Sequence, residues 1–117
     1  MSESLSYRNS IDKQLSMLAE DDKEFKAELI GIYTEYMDEI QYEFALLLRK
    51  KDQEGLALLH HKHKTTCHVL ALQALNDAFE RARSLLTTPP SDSGTQEVLI
   101  SQVNTICRDA LAQLQDI

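Results

Sequence analysis

All four histidines of the chain fall within one run of nine residues, His60-His61-Lys62-His63-Lys64-Thr65-Thr66-Cys67-His68. Imidazole is the side chain that exchanges the roles of proton donor, acceptor and nucleophile near neutral pH. A cluster of this kind admits a metal site, a catalytic site or a carrier of phosphoryl groups. Which of these is open depends on which rings face water.

The spacing around the cluster is helical. Leu56, Leu59, His63, Cys67 and Leu70 recur at three- and four-residue steps, the period of an α-helix with one apolar face. Advancing about 100° per residue gathers Leu56, Leu59, His60, His63, Cys67 and Leu70 on one side, which is the core side. Ala57, His61, Lys64, Thr65 and His68 gather on another side that faces water. His61 has small neighbours one turn away in either direction, Ala57 and Thr65, and is open to a large partner. Lys64, three residues on, places an ammonium on the same face, where it can hold the negative oxygens of a group attached to the ring. Neutral imidazole, with a pKa of roughly 6.5, keeps a free lone pair at physiological pH.

Elements on either side must position this helix. Ile11, Leu15 and Leu18 suggest a short amphipathic helix near the N-terminus. Asp21 with Glu24 fits the start of a long helix as a capping box, continued by Phe25, Leu29, Ile32, Tyr33, Tyr36, Met37, Ile40, Phe44 and Leu47. The pattern fits one long helix or two nearly collinear ones. Lys50-Lys51-Asp52 ends it, and Asp52 caps the histidine helix. Leu72, Leu75, Phe79, Ala82 and Leu86 mark a further helix. Val98, Leu99, Val103, Ile106, Ala110 and Leu114 give the last one an apolar seam. Between these two, the turn formers of residues 87–94 read as a loop within one bundle.

Composition agrees. A chain of 117 residues with three glycines and two prolines is expected to form a single domain over residues 1–117 that is all-α. Short connections favour an up-and-down antiparallel four-helix bundle with an additional short N-terminal helix. A net charge of −7 argues against nucleic acid as a partner, since phosphate binding needs a basic face. No apolar run approaches the roughly 18 residues of a membrane span, and the polar N-terminus lacks a signal-peptide core. Two cysteines, Cys67 and Cys107, show no disulfide framework and suit a reducing compartment. The expectation is a soluble cytoplasmic protein.

The segment His61-Lys62-His63-Lys64-Thr65, followed by Leu70, Ala71 and Leu75, resembles the H-x-x-K-G motif of histidine-containing phosphotransfer (HPt) domains. Asp22, Phe25, Leu29, Ile32, Tyr33, Met37, Phe44, Leu47, Asp52 and Leu56 look like that family's approach to its histidine. The resemblance covers residues 15–86. It implies that His61 accepts a phosphoryl group from the aspartate of a response-regulator receiver domain and that Lys64 stabilises it. Ala57 and Thr65 share that exposed face and are the candidate binding residues there, and His68, one turn beyond Lys64, is either a further contact or incidental. The resemblance further implies no cofactor on this chain, Mg²⁺ on the partner receiver domain, a hybrid sensor histidine kinase upstream, and a monomer. Thr65 stands where the family usually has glycine, and His63 where it has a leucine-like residue.

Two other readings remain open at this level. His60, His63 and Cys67 share a helical face and are ligand types that suit Zn²⁺ or Cu²⁺, with a fourth ligand such as Cys107 coming from another helix. A plain helical adaptor would also display a solvated His61. For His60 and His63, hydrogen bonds to core or boundary neighbours are the simpler account, and Cys67 reads as a small buried hydrophobe.

Overall fold

The structure is a computed structural model that describes residues 10–88 and 93–117. Five helices follow one another: α1 (Ser10–Leu18), α2 (Lys23–Arg49), α3 (Gln53–Val69), α4 (Gln73–Thr87) and α5 (Ser93–Gln115). The described residues contain no strand. None of the helices is long and apolar enough to cross a membrane.

Their ends are set by local chemistry. Asp22, not Asp21, caps α2, its Oδ1 accepting from the backbone N–H of Glu24 and Phe25 at 3.0 and 3.1 Å. Asp21 cannot serve because it lies in the left-handed region, with φ of 64°, and belongs to the turn that ends α1. Asp52 caps α3 through a 2.8 Å bond from the Gly55 N–H. There a Cβ on Gly55 would stand 2.6 Å from Leu47 Cδ2 and 2.7 Å from Asp52 Oδ2, so a larger residue would displace the Leu47 side chain and the capping carboxylate.

Three helices end in the same way. After α3, the Leu72 N–H reaches back to the Cys67 carbonyl at 2.8 Å and that of Ala71 to the His68 carbonyl at 3.1 Å. This is the Schellman closure, and its left-handed position is held by Ala71 with φ of 55°. Lys51 does the same after α2 and Glu20 after α1. Each reverses the chain within a few residues and brings the next helix onto the one just finished.

The apolar faces meet as the periodicity requires. Helix α2 packs on α1, α3 and α5, α3 on α4, α4 on α5, and α1 on α5. Phe44 of α2 and Phe79 of α4, both fully buried, meet edge to face with centroids 5.4 Å apart, in the geometry aromatic quadrupoles favour. Met37, Ile40, Leu56, Leu75, Val103 and Leu114 fill the space around them. Helix α2 is one uninterrupted helix. Phe25, Ile32 and Val98, expected in the apolar seams, are instead 42%, 43% and 59% exposed. Of residues 87–94, Thr87 closes α4, Ser93 and Gly94 open α5, and Pro89, Pro90, Ser91 and Asp92 lie outside the described residues. So does the N-terminal stretch before Ser10.

Polar ties join the elements at their edges. Arg49 of α2 forks onto Glu97 of α5 with two bonds of 2.8 Å, Lys26 pairs with Asp12 of α1, and Gln53 donates to the Leu86 carbonyl at 2.7 Å. All three contacts keep solvent access, where such ties contribute little beyond alignment.

Candidate functional site

Helix α3 divides its histidines by burial. His60 is 2% exposed and His63 fully buried, whereas His61 and His68 are exposed along with Lys64 and Thr65. Ala57, expected on the water side, is half-buried. Among the described residues, the side chains of His61, Lys64 and His68 make no hydrogen bond or ion pair. The Thr65 hydroxyl likewise makes no bond back to the His61 carbonyl, so the turn around His61 stays unobstructed.

His60 is held from α4. Its Nε2 lies 2.7 Å from Asn76 Oδ1 and its Nδ1 3.4 Å from Arg83 Nη1. Arginine only donates, so Nδ1 accepts and Nε2–H donates to the asparagine oxygen. The ring also stacks on Phe79, nearly parallel, with centroids 4.9 Å apart. Asn76 in turn donates to Glu80 at 3.5 Å. With both nitrogens occupied, His60 has no lone pair to offer a substrate.

His63 is held from α2. Its Nε2 donates to Glu39 Oε1 at 2.6 Å, and its Nδ1 lies 3.2 Å from the Thr66 hydroxyl. The Tyr36 ring meets it edge on at 4.9 Å. Burial pushes the His63 pKa below its ordinary value, outweighing the Glu39 carboxylate that pulls it up. The contact is therefore a hydrogen bond from a neutral ring. Glu39 also takes Lys62 Nζ at 2.8 Å, and that bond above all holds its carboxyl below the usual range. Hydroxyl, imidazole and carboxylate stand here in the order of a nucleophilic triad. Thr66 is nevertheless 3% exposed, so no substrate reaches its oxygen and the arrangement is an interhelical fastening.

The coordinating set His60, His63 and Cys67 does not come together. Among the described residues, no three His, Cys, Asp or Glu side chains are placed to hold a metal ion. His60 and His63 point to different neighbours, α4 and α2. Burial pushes the Cys67 thiol up to about 11 and the Cys107 thiol up to about 12, so both remain protonated apolar fillers rather than thiolates.

One concave surface borders the exposed face. A cavity of about 320 Å³ opens between α3 and α4, lined by Lys64, Cys67 and His68 on one side and Gln73, Asn76 and Glu80 on the other, with Leu72 at the turn. His61 is not among its walls. Sequence reasoning named His61, Lys64, Thr65, His68 and Ala57 and missed Glu39, Asn76 and Arg83. Only Thr66, one turn after His63, carried a helical signal; the others come from α2 and α4, whose rotation against α3 no spacing encodes.

Compared with known proteins, the chain matches no family model, no curated protein and no solved structure.

Proposed function

We propose that the chain is a phosphorelay intermediate that accepts a phosphoryl group on His61 from a receiver-domain aspartate and passes it to a second receiver domain. One observation carries this reading. Of the four clustered imidazoles, His61 is exposed and unpartnered with an equally unpartnered ammonium, Lys64, one turn further on the same face. Its neighbours His60 and His63 are buried with both ring nitrogens engaged.

The chemistry asks little of this chain. A ring nitrogen of His61 attacks the phosphorus of the aspartyl phosphate, the N–P bond forms, and the P–O bond breaks to return the aspartate carboxylate. Lys64 neutralises charge on the transferred oxygens, and the partner supplies Mg²⁺ and the acidic pocket. Catalysis is positioning plus charge neutralisation, which needs no lid and no resident cofactor. The packing partners support the expected frame: α2, α3, α4 and α5 contact one another in a closed cycle, as an up-and-down four-helix bundle would, with α1 laid on α2 and α5. A cytoplasmic monomer serving receiver domains and a hybrid sensor kinase belongs to the same reading.

The test is transfer from a phosphorylated receiver domain, followed as acid-labile, base-stable label. His61→Gln abolishes transfer from the receiver and His60→Gln does not. Full receiver-dependent labelling of His61→Gln would sink the assignment. No label from any receiver, with the fold intact, would favour an adaptor that docks without accepting phosphate.

A further inference from the structure

We infer that His68 is a second phosphoryl acceptor, one loaded from small acyl phosphates or phosphoramidates that enter the cavity between α3 and α4. The inference rests on the His61 reading for its chemistry and departs from it in residue and in donor.

Three features of the structure converge on His68. Its ring is exposed and makes no hydrogen bond or ion pair among the described residues. In this it matches His61 and differs from His60 and His63. It stands four residues after Lys64, as His61 stands three before it, so the same unpartnered ammonium lies beside both rings. It also forms part of a cavity wall and His61 does not. At about 320 Å³, that cavity lies at the small end of the range for ligand pockets.

The walls suit an N–P bond-forming step. Lys64 supplies a cation for the phosphoryl oxygens, while the Gln73 and Asn76 amides on the opposite wall donate to Asp77 and Glu80. Glu80 is the one carboxylate on the wall. Its carboxylate accepts from the Asn76 amide, so the positive charge beside His68 comes from Lys64 alone among the wall residues. A ring nitrogen of His68 attacks phosphorus and the N–P bond forms. The donor's P–O or P–N bond breaks, and the leaving group departs as a carboxylate, or as ammonia after taking up a proton. A receiver domain is too large for the cavity, which separates the two acceptors by the size of their donors. Because Lys64 serves one ring at a time, loading of either histidine slows loading of the other.

The experiment treats the purified chain with phosphoramidate and follows phosphohistidine by ³¹P NMR and by intact mass at neutral pH. Both histidines are exposed, so His61→Gln and His68→Gln keep the fold. The wild type is expected to take up two phosphoryl groups, each single variant one, and the double variant none. Loading at His68 should be about tenfold faster than at a histidine in an unstructured peptide, the gain expected from a bound donor and a placed cation. Gln73→Trp, which fills the cavity, should remove that gain and leave His61 unchanged. A single phosphoryl group lost entirely in His61→Gln would overturn the inference and leave the His61 reading standing. So would a rate at His68 no greater than the peptide's. Label from a phosphorylated receiver that survives in His61→Gln and disappears in His68→Gln would overturn both the His61 reading and the separation of the two acceptors by donor size.

Discussion

Single side chains in α3 separate function from stability. His61 touches nothing that holds the fold, so His61→Gln should change stability by less than about 0.5 kcal/mol, as surface substitutions do. His63 is the opposite case. It is fully buried and bonded on both ring nitrogens, and His63→Ala should cost about 2–4 kcal/mol through a cavity and unpaired partners. Its depressed pKa also sets a pH dependence. In the unfolded chain the ring takes a proton near its ordinary value of 6.5, while in the folded chain it stays neutral until a lower pH. The unfolded state therefore binds more protons in that window, and stability falls as pH drops below about 6.5. Glu39, held below its ordinary value of 4.5, adds a second loss of the same sign at lower pH, as the unfolded chain's carboxyl protonates first. Thermal unfolding between pH 7.5 and 5 should show a declining midpoint, and His63→Gln should flatten the decline. A flat profile in the wild type would refute the neutral buried ring. Thr65→Gly divides the two properties within one residue: transfer should hold or rise, while stability falls by about 0.3–0.5 kcal/mol, the difference in helix propensity between threonine and glycine.

The helices offer independent tests at their ends and interiors. Gly31 lies exposed within α2 with nothing within 4 Å of an added Cβ. Gly31→Ala should therefore stabilise the protein by about 0.5–1 kcal/mol. Gly55→Ala makes the identical chemical change with the opposite sign, because the methyl would press on Leu47 and on the Asp52 carboxylate that caps α3. Ala71 pays the left-handed penalty at the end of α3. Ala71→Gly should recover about 1 kcal/mol and raise the unfolding midpoint by a few degrees, without altering the Schellman closure. Denaturant titrations of the three variants check all these signs together, and a stabilised Gly55→Ala would contradict the close approach of α2 and α3.

Across the whole molecule, the polar fastenings and the apolar core act on the same interfaces. Phe79 of α4 lies between Phe44 of α2 and the His60 ring of α3, so its loss loosens three helices at once. Phe79→Ala should cost about 3–5 kcal/mol and would leave the His60 network without its stacking surface. The placement of His61 and His68 depends on this frame. His60 fastens α3 to α4, His63 fastens it to α2, and the remaining arc of the helix is what water reaches. An intact fold with His61 buried, seen as protection from chemical modification of the ring, would contradict that partition.

Much of this was legible in the residues themselves. Periodicity placed the five helices, and its phase put His60, His63 and Cys67 inward and His61, Lys64 and His68 outward, because a side chain's direction about its own axis is fixed by 3.6 residues per turn. Asp52 announced its cap because capping acts within a few residues of chain. The left-handed turn that moved the α2 cap from Asp21 to Asp22 was not legible, since it belongs to the closure of the preceding helix. Nor were the partners Glu39, Asn76 and Arg83, or the cavity that borders His68 and passes His61 by. These depend on how far α2 and α4 are rotated and shifted against α3, which is settled by packing across helices and by no single helix alone. The four-histidine run therefore specified which rings face water, and the tertiary structure decided which of them borders a cavity.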